Sequence, residues 1–506
     1  MLPGSIKRKI KAMKVYKLIF TFLIIFSSLL VSSQSVIVYD IVLKGGRVID
    51  PETKLDAVRN VGIIQNQIVQ ISNEDLRGKQ VIDATGLVVA PGFIDLHVHG
   101  RSNIEQEYQL HDGLTTALEL EWGIEHIGKW YESRRGKALI NYGASVCWPF
   151  ERFRAIDKYK NDVAALYNIT VKDDPKLETL INTISKSYSD TLTDVESKKM
   201  IANIRSSLGE GGLGIGVPIG YLPKTEPGEM FRVYKLAGEM NALVFSHVRE
   251  PNIISIQEAI ADATLARAPL HIVHINSMSL SQIQLALDMI KAADDKGFDI
   301  STELYPYTAA STALQSAMFD GEWQQRLGIS YQDLQWVATG ERLTKETFDK
   351  YRKEGGVVIM HMMKPEWIKT GIAAPGTIIA SDGMPYAPLA HPRTAGTFCR
   401  ILSKYVREEK VLDLMTAIEK MSLLPAKRLE IIAPSMKKKG RLQVGADADI
   451  TVFNPETVTD KATFEKGLAF SEGVEFVIVN GVLVLKNGKT VPGVFPGQAV
   501  YGKFKK

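Results

Sequence analysis

Two histidines, His97 and His99, are separated by one residue in the apolar segment VVAPGFIDLHVHG, residues 88–100. Alternate side chains of a β-strand leave the same face, so both imidazoles could chelate one metal ion. Asp95 lies on the same predicted face. With nine histidines in 506 residues, such a pair arises by chance in about one chain in six. The pair therefore indicates a metal site only if other ligands accompany it.

Three further candidate ligands end short apolar segments in the middle of the chain. These are His247 in ALVFSHVRE, His274 in HIVHINS and Asp382 in TIIASDG. Imidazole nitrogen and carboxylate oxygen are donors that suit Zn²⁺. Each residue alone is explained by an ordinary hydrogen bond at a strand end. Together they predict a site for one or two Zn²⁺ ions.

The elements that must position these residues follow an alternating strand and helix pattern, which is typical of a parallel sheet. Eight candidate strands are enough to close an α/β, (β/α)8 TIM-like barrel, whose reactive residues lie at the C-terminal strand ends. The segment SLSQIQLALDMIKAA predicts a helix that begins with a capping box of Ser279 and Gln282. The candidate strands are 93–99, 115–121, 140–146, 213–218, 243–247, 271–275, 299–305 and 377–382.

Both chain ends differ from the middle because they contain short β-rich segments separated by Gly, Asn and Asp. We expect residues 36–90 and 436–506 to form a small β-sandwich domain, and residues 91–435 to form the barrel. Two long connections, at about 150–210 and 307–376, are predicted to be insertions at the active-site end.

The first residues are predicted to be a cleavable signal peptide, residues 1–34, and the protein to be periplasmic or secreted. An uncharged apolar segment, 18–31, follows six lysines and arginines, is shorter than a membrane span and is followed by small residues. A retained anchor is the alternative. Cleavage near Ser33 would change the formal charge from +4 to −2. The excess of positive charge would then be lost, so we do not expect nucleic acid as a partner. After cleavage we also do not expect stable insertion into a membrane. Cys147 and Cys399 are predicted to be isolated buried thiols, although one bridge is possible.

The order of the sequence blocks resembles the D-aminoacylase (N-acyl-D-amino-acid deacylase) family of the amidohydrolase superfamily, from about residue 40 to 500. The most specific block pairs SDG with HPR and places Arg393 eleven residues after Asp382. The other similar blocks are VVAPGFIDLHVH, HDGLTT, FSHVRE, LYPYTAAST, GADADITVFNPETV and VIVNG.

This resemblance implies a hydrolase that cleaves the amide bond of small N-acyl-D-amino acids. Asp382 would be both a metal ligand and the general base that takes a proton from water and returns it to the departing amine. Arg393 would hold the substrate α-carboxylate through paired hydrogen bonds. Tyr305 and Ser311 would complete that carboxylate pocket.

The sequence departs from the family pattern at several positions. Trp122 replaces a bridging cysteine, so Glu121 is the candidate replacement bridge and Glu119 a supporting or alternative ligand. Two carboxylates that face a barrel interior are costly unless they are protonated or paired with a cation. Asn276 is a candidate substrate-binding residue where some members have lysine, which puts acidic substrates in doubt. Trp148 replaces a frequent histidine and is expected to reshape the pocket, whereas His361 and His391 are expected to have supporting roles.

Other readings stay open at this stage. A dipeptidase or a cyclic-amide hydrolase would use the same metal site, although the fourth predicted strand lacks the lysine that some such enzymes use; Lys224 lies beyond it. A non-catalytic binding protein on the same scaffold would be expected to have lost ligands. The oligomeric state is open.

Overall fold

A computed structural model describes residues 37–166 and 181–506. The predicted signal peptide lies outside these residues. Within the described ranges, no helix combines the length and the apolar character that are needed to cross a membrane.

The middle of the chain folds as the predicted parallel barrel of eight strands. Neighbouring strands pair in sequence order from the first to the seventh, and the eighth pairs with the seventh. We number them as barrel strands one to eight: Phe93–Asp95, Leu114–Ile124, Asn141–Cys147, Ile215–Pro218, Val244–His247, Leu270–Ile272, Ile300–Leu304 and Ile378–Ile379.

The barrel closes between the segments that follow strands one and eight. Val98 and Gly383 form a parallel bridge there. Asp95 strengthens this junction because one carboxylate oxygen, Oδ1, accepts hydrogen bonds of 3.0 Å from the backbone N–H groups of His97 and Ser381. Burial raises the pKa of Asp95 to about 7. Closure therefore brings the first and last predicted metal ligands together.

Two local predictions were wrong in detail. Strand one ends at Asp95 and strand eight at Ile379, so the candidate ligands lie in the segments just beyond the paired strands. Ser279 does not cap the following helix, which is Ile283–Asp294 and has no side-chain cap. The Ser279 hydroxyl instead donates to the Ile275 carbonyl of a preceding short helix, over 2.6 Å.

Helices surround the barrel and occupy its connections. Their apolar faces pack on the strands in one continuous core, which includes the fully buried Phe245, Ile204 and Leu429. The α-helices are Asn103–His111, Ile127–Arg134, Trp148–Phe153, Lys160–Leu166, Asp194–Gly209, Pro227–Met240, Ile253–Ala266, Ile275–Ser279, Ile283–Asp294, Trp323–Leu327, Lys345–Glu354, Pro365–Ala373, Arg393–Arg400, Leu414–Ile418 and Leu424–Glu430.

Segments from both chain ends form a separate β-domain, as predicted. Hydrogen bonds join its strands into one continuous nine-stranded sheet, which branches at its first strand. The domain has its own apolar core. The last residues leave this sheet and lie against the barrel, where the Tyr131 hydroxyl donates to the Val500 carbonyl over 2.8 Å. The strands are Val38–Asp50, Leu55–Ile64, Gln67–Ser72, Arg77–Asp83, Val88–Pro91, Ile450–Phe453, Val474–Val479, Val482–Lys486 and Lys489–Thr490.

The second predicted insertion has its own three-stranded antiparallel sheet, built from Ala309–Ala313, Leu334–Trp336 and Val357–His361. It carries Ser311 towards the open end of the barrel. The two cysteines, Cys147 and Cys399, are both buried and free. The prediction of isolated thiols is therefore confirmed, and the alternative of a single bridge is wrong.

Candidate metal centre

The predicted ligands of strands one and eight meet at the C-terminal end of the barrel. The Nε2 atoms of His97 and His99 lie 3.3 Å apart. Asp382 Oδ1 lies 3.5 Å from His97 Nε2 and 3.3 Å from His99 Nε2. These three side chains therefore direct their donor atoms to one small volume.

His247 and His274 form the second half of the cluster, opposite the first. Glu121, in the C-terminal half of strand two, lies between the halves. Its Oε2 atom is 3.1 Å from His97 Nε2 and 3.0 Å from His99 Nε2. Its Oε1 atom is 2.7 Å from His247 Nδ1 and 3.3 Å from His274 Nε2.

Glu119 occupies a different position from Glu121, although both lie on the same strand. Its Oε2 atom is 3.0 Å from His99 Nδ1, the nitrogen that faces away from the cluster. Arg101 lies 3.4 Å from the same oxygen and 3.3 Å from Glu125. Of the two roles predicted for Glu119, this geometry matches the one that supports a ligand.

Glu303 supports the cluster and was not found by the sequence reasoning. It is the penultimate residue of strand seven, and its Oε1 atom is 2.5 Å from His97 Nδ1. Its Oε2 atom is 3.1 Å from His271 Nε2. A carboxylate on the outer nitrogen of a metal-binding histidine sets its tautomer and ring orientation. The one available signal was an acidic residue in the otherwise uncharged strand ISTEL.

Burial alone would raise the pKa values of Asp382, Glu121 and Glu303, but positive neighbours reverse that effect. Arg393 and His97 hold the pKa of Asp382 below its usual range. His97 and hydrogen bonds with His247 and His274 do the same for Glu121. For Glu303, His97 and His271 lower the pKa to about 2. The site is therefore built around ionised carboxylates that need positive partners.

Two candidate ligands have strained backbones. His274 has φ of 33° and Asp382 has φ of 51°, in the left-handed region that non-glycine residues rarely adopt. Such conformations persist where the surrounding structure enforces them, often at functional sites. They turn both side chains towards the cluster directly after their strands.

The donor set fits a bound cation. Three groups of side chains each bring their possible donor atoms within 4.8 Å of one another. All donors are imidazole nitrogens or carboxylate oxygens, and buried carboxylates at this distance from imidazoles require protons or metal ions for neutralisation. The groups are His97, His99 and Glu121; His97, His274 and Asp382; and Glu121, His247 and His274.

A cavity of about 400 Å³ opens beside this cluster, and Tyr305 and Ser311 line it. Arg393 lies one layer behind, with its guanidinium carbon 4.6 Å from the Tyr305 ring centre and one nitrogen, Nη2, 2.9 Å from Asp382 Oδ1. Asn276 is also behind the wall, and its amide donates to the Tyr305 carbonyl over 3.2 Å. Asn276 therefore contacts the backbone of a wall residue.

Several polar atoms around this wall are buried without a hydrogen-bond partner in the described part of the chain. They belong to the predicted carboxylate pocket: the Tyr305 hydroxyl, the Ser311 hydroxyl and the Nε and Nη1 atoms of Arg393, whose Nη2 atom is ion-paired with Asp382. Buried polar groups are normally hydrogen-bonded. Because Tyr305 and Ser311 line the cavity and Arg393 packs on Tyr305, a ligand in the cavity would supply the missing acceptors.

The remaining sequence candidates have supporting positions. Trp122 lines the cavity, whereas Trp148 is fully buried in the core and is not among the cavity-lining residues. His391 accepts a 3.1 Å hydrogen bond from the Arg393 backbone N–H. His361 is 3.0 Å from Gln335 Oε1 in the insertion sheet.

The comparisons with known proteins agree with this geometry. A model of the amidohydrolase family matches residues 254–491. The chain is 28% identical to the D-aminoacylase of Alcaligenes xylosoxydans xylosoxydans over 88% of this chain and 94% of that protein. It is 27% identical to the N-acyl-D-glutamate deacylase of the same organism, over 91% and 96%.

Among solved structures, the fold is similar to that of N-acyl-D-glutamate deacylase from Bordetella bronchiseptica in complex with zinc and a phosphonate inhibitor. The TM-score is 0.76 at 22% identity, over 92% of this chain and 99% of that one. Sequence similarity, the closed barrel and the cluster of cation-binding side chains lead to one conclusion: the chain belongs to the amidohydrolase family of metal-dependent hydrolases.

Proposed function

We propose that this amidohydrolase cleaves N-acyl-D-amino acids to a carboxylate and a free D-amino acid. One observation carries the proposal: cation-binding side chains and the unpartnered hydroxyls of Tyr305 and Ser311 line the same cavity, and Arg393 packs behind Tyr305. A substrate with an amide bond next to a free α-carboxylate matches both. The names of the relatives support the acyl and D-amino-acid parts.

The residues that would hold Zn²⁺ are His97, His99, His247, His274 and Asp382. When bound, such a cation polarises a scissile carbonyl and makes hydroxide available near neutral pH. Asp382 would take the proton of the attacking water and then deliver it to the departing amine. Glu303 and Glu119 would orient His97 and His99 through their outer nitrogens.

Arg393, Tyr305 and Ser311 would bind the α-carboxylate. The guanidinium is 1% exposed and is packed on Tyr305, so its donors are held in place before the substrate arrives. Charge-assisted hydrogen bonds to such a group supply both affinity and orientation. Asn276 would act indirectly, by holding the Tyr305 backbone.

The rest of the cavity wall favours an apolar substrate side chain. Arg101 is the one lysine or arginine among the described lining residues, and its charge is already paired with Glu119 and Glu125. An acidic side chain would therefore be buried without a cation, which is costly. Flexible thioethers line the wall and adapt to apolar groups: Met278, Met318, Met360, Met362 and Met384.

A stereochemical panel with metal quantification tests the proposal. We expect release of amino acid from N-acetyl-D-methionine and N-acetyl-D-leucine, loss of activity on chelation, and recovery with Zn²⁺. N-acetyl-D-glutamate should be poorer by roughly 10- to 200-fold, the range for mismatches in apolar pockets. Cleavage of the L series alone, or of cyclic amides alone, would contradict the proposed substrate.

A pair of lysine variants tests the wall. Met318 is half-buried in the cavity lining. Met318→Lys would place a cation there, so it should raise kcat/KM for N-acetyl-D-glutamate relative to N-acetyl-D-methionine. Met415 is also half-buried but lies in the helix Leu414–Ile418, away from the cavity. Met415→Lys should leave the substrate ratio unchanged. If both variants had the same ratio of kcat/KM between the two substrates, the proposal that the cavity wall selects an apolar substrate side chain would be contradicted.

Cyclic-amide hydrolysis is less well supported. Barrel strand four, Ile215–Pro218, carries no lysine, and a cyclic amide lacks the free carboxylate that the unpartnered groups would bind. We also propose, from the sequence of residues 1–34, that the protein is exported to the periplasm or secreted. Fusion of those residues to a reporter enzyme, followed by cell fractionation, tests export.

A further inference from the structure

Three aromatic side chains line one side of the cavity, and we call them the aromatic wall. They are Trp122, Tyr188 and Tyr221, each half-buried. The rings of Trp122 and Tyr221 meet edge to face with their centres 5.5 Å apart, and the ring centres of Trp122 and Tyr188 are 6.3 Å apart. Each ring packs on a neighbour, and the part that stays exposed is available to a ligand in the cavity.

The aromatic wall lies across the barrel mouth from the predicted carboxylate pocket. Trp122 belongs to strand two, Tyr188 to the connection between strands three and four, and Tyr221 follows strand four. Tyr305 and Arg393 follow strands seven and eight. Because the eight strands pair in order around a closed barrel, strand three is opposite strand seven and strand four is opposite strand eight. The cation-binding cluster lies between these two sides.

We propose that the aromatic wall is the subsite for the acyl group and that it selects a compact aromatic acyl group, such as phenylacetyl. An N-acyl amino acid carries its α-carboxylate and its acyl group on opposite sides of the scissile bond. With the carboxylate near Tyr305 and the amide at the cluster, the acyl group extends towards Trp122 and Tyr188. This inference rests on the proposed function and adds the class of acyl group.

The apolar residues of the cavity divide in the same way. The methionines follow strands six, seven and eight, on the side of the carboxylate pocket, so they suit the amino-acid side chain: Met278, Met318, Met360, Met362 and Met384. The rings are on the opposite side. Aromatic pairs in edge-to-face or offset geometry are more favourable than burial of the same area alone. Selection for a ring therefore belongs to the acyl half of the substrate.

The aromatic wall is closed from behind, which limits the length of the acyl group. Trp122 and Tyr188 pack against a buried apolar cluster that contains Cys147, Phe150 and Ile184. A long alkyl chain cannot pass through this cluster and would have to turn back towards solvent. A single ring close to the scissile carbonyl instead contacts the aromatic side chains directly.

The segment that carries Tyr188 is held in place from inside the protein. Arg152 is fully buried and pairs with Glu229 over 2.9 Å. Its guanidinium also donates to the carbonyls of Ser187 and Asp190, which lie on either side of Tyr188 in the chain. The ring is therefore positioned before a substrate binds, which lowers the entropic cost of binding.

A panel of acyl groups on one amino acid tests the subsite. The Zn²⁺-loaded full chain is assayed with the acetyl, phenylacetyl, cyclohexylacetyl and octanoyl derivatives of D-methionine. We expect kcat/KM for phenylacetyl to exceed that for acetyl by roughly 10- to 200-fold, the range for filling part of an apolar pocket. It should exceed that for cyclohexylacetyl by roughly 2- to 10-fold, the contribution of an aromatic pair. The proposal would be overturned if any of the other three acyl groups were cleaved as efficiently as phenylacetyl.

Matched leucine variants locate the effect. Tyr188→Leu keeps an apolar side chain and removes the ring. Tyr501 is also half-buried but packs on Tyr131, and it is not among the described lining residues of the cavity. We expect Tyr188→Leu to lower the phenylacetyl-to-cyclohexylacetyl ratio of kcat/KM by roughly 2- to 10-fold, and Tyr501→Leu to leave it unchanged. Equal ratios in the two variants would overturn the assignment.

Equilibrium binding to the unaltered protein keeps the proposal testable if Tyr188→Leu does not fold. Isothermal titration calorimetry compares phenylacetate with cyclohexylacetate, which share a carboxylate and differ in the ring. We expect phenylacetate to bind more tightly by roughly 2- to 10-fold, and equal or weaker binding would overturn the proposal. Tighter binding of phenylacetate without hydrolysis of any acyl amino acid would refute the proposed function alone. Hydrolysis with acetyl as the best acyl group would refute this inference alone.

Discussion

Replacing Arg393 with lysine should selectively weaken substrates that carry a free α-carboxylate. The guanidinium is buried against Tyr305, its Nη2 atom is ion-paired with Asp382 over 2.9 Å, and its Nε and Nη1 atoms have no hydrogen-bond partner within the described residues. Lysine retains one charged donor but cannot form the paired contact. The expected loss is one charge-assisted hydrogen bond, about 1.5–3 kcal/mol, or roughly 10- to 160-fold in kcat/KM.

The assay compares N-acetyl-D-methionine with its α-carboxamide in both proteins. Arg393 also lies 2.9 Å from Asp382, so the substitution can disturb the general base and slow both substrates equally. The ratio between substrates removes that common effect. We expect the preference for the carboxylate to fall by the factor above, mainly through KM. An equal loss on both substrates would refute carboxylate recognition by Arg393.

Three further predictions concern affinity and stability. Glu303→Gln should lower Zn²⁺ affinity by roughly 10- to 100-fold, because His97 loses its carboxylate partner; competition with a chromophoric chelator measures this, and unchanged affinity would contradict it. Lys439→Met should lower the free energy of unfolding by about 3–5 kcal/mol in urea, because Lys439 Nζ is 2.6 Å from buried Asp449; a loss below 1 kcal/mol would contradict that estimate. Burial lowers the pKa of Lys420 to about 8, so the unfolded chain binds more protons between pH 8 and 10.5 and stability rises with pH there. Relative to Lys420→Met, the unaltered protein should gain about 3 kcal/mol in free energy of unfolding across this pH window. If the difference between the two proteins did not change with pH, the lowered pKa of Lys420 would be contradicted.

Most of the predictions that held depend on residues near one another in sequence. Each of the eight barrel strands was recognisable as a short apolar segment, and His247 could be assigned to a strand end because the strand precedes it directly. Strand parity placed Glu119 and Glu121 on one face. The capping box at Ser279 failed because its hydroxyl bonds backwards to Ile275, a choice that the local motif does not reveal.

The sequence by itself determined the barrel and β-domain architecture and the residues that can bind a cation, since periodicity and residue chemistry are properties of short segments. Only the tertiary structure decided which carboxylate meets which histidine. Glu303 and His97 are 206 residues apart along the chain, and Glu121 and His274 are 153 apart. These contacts exist because the strands pair in order and the barrel closes, and no local pattern specifies the resulting distances.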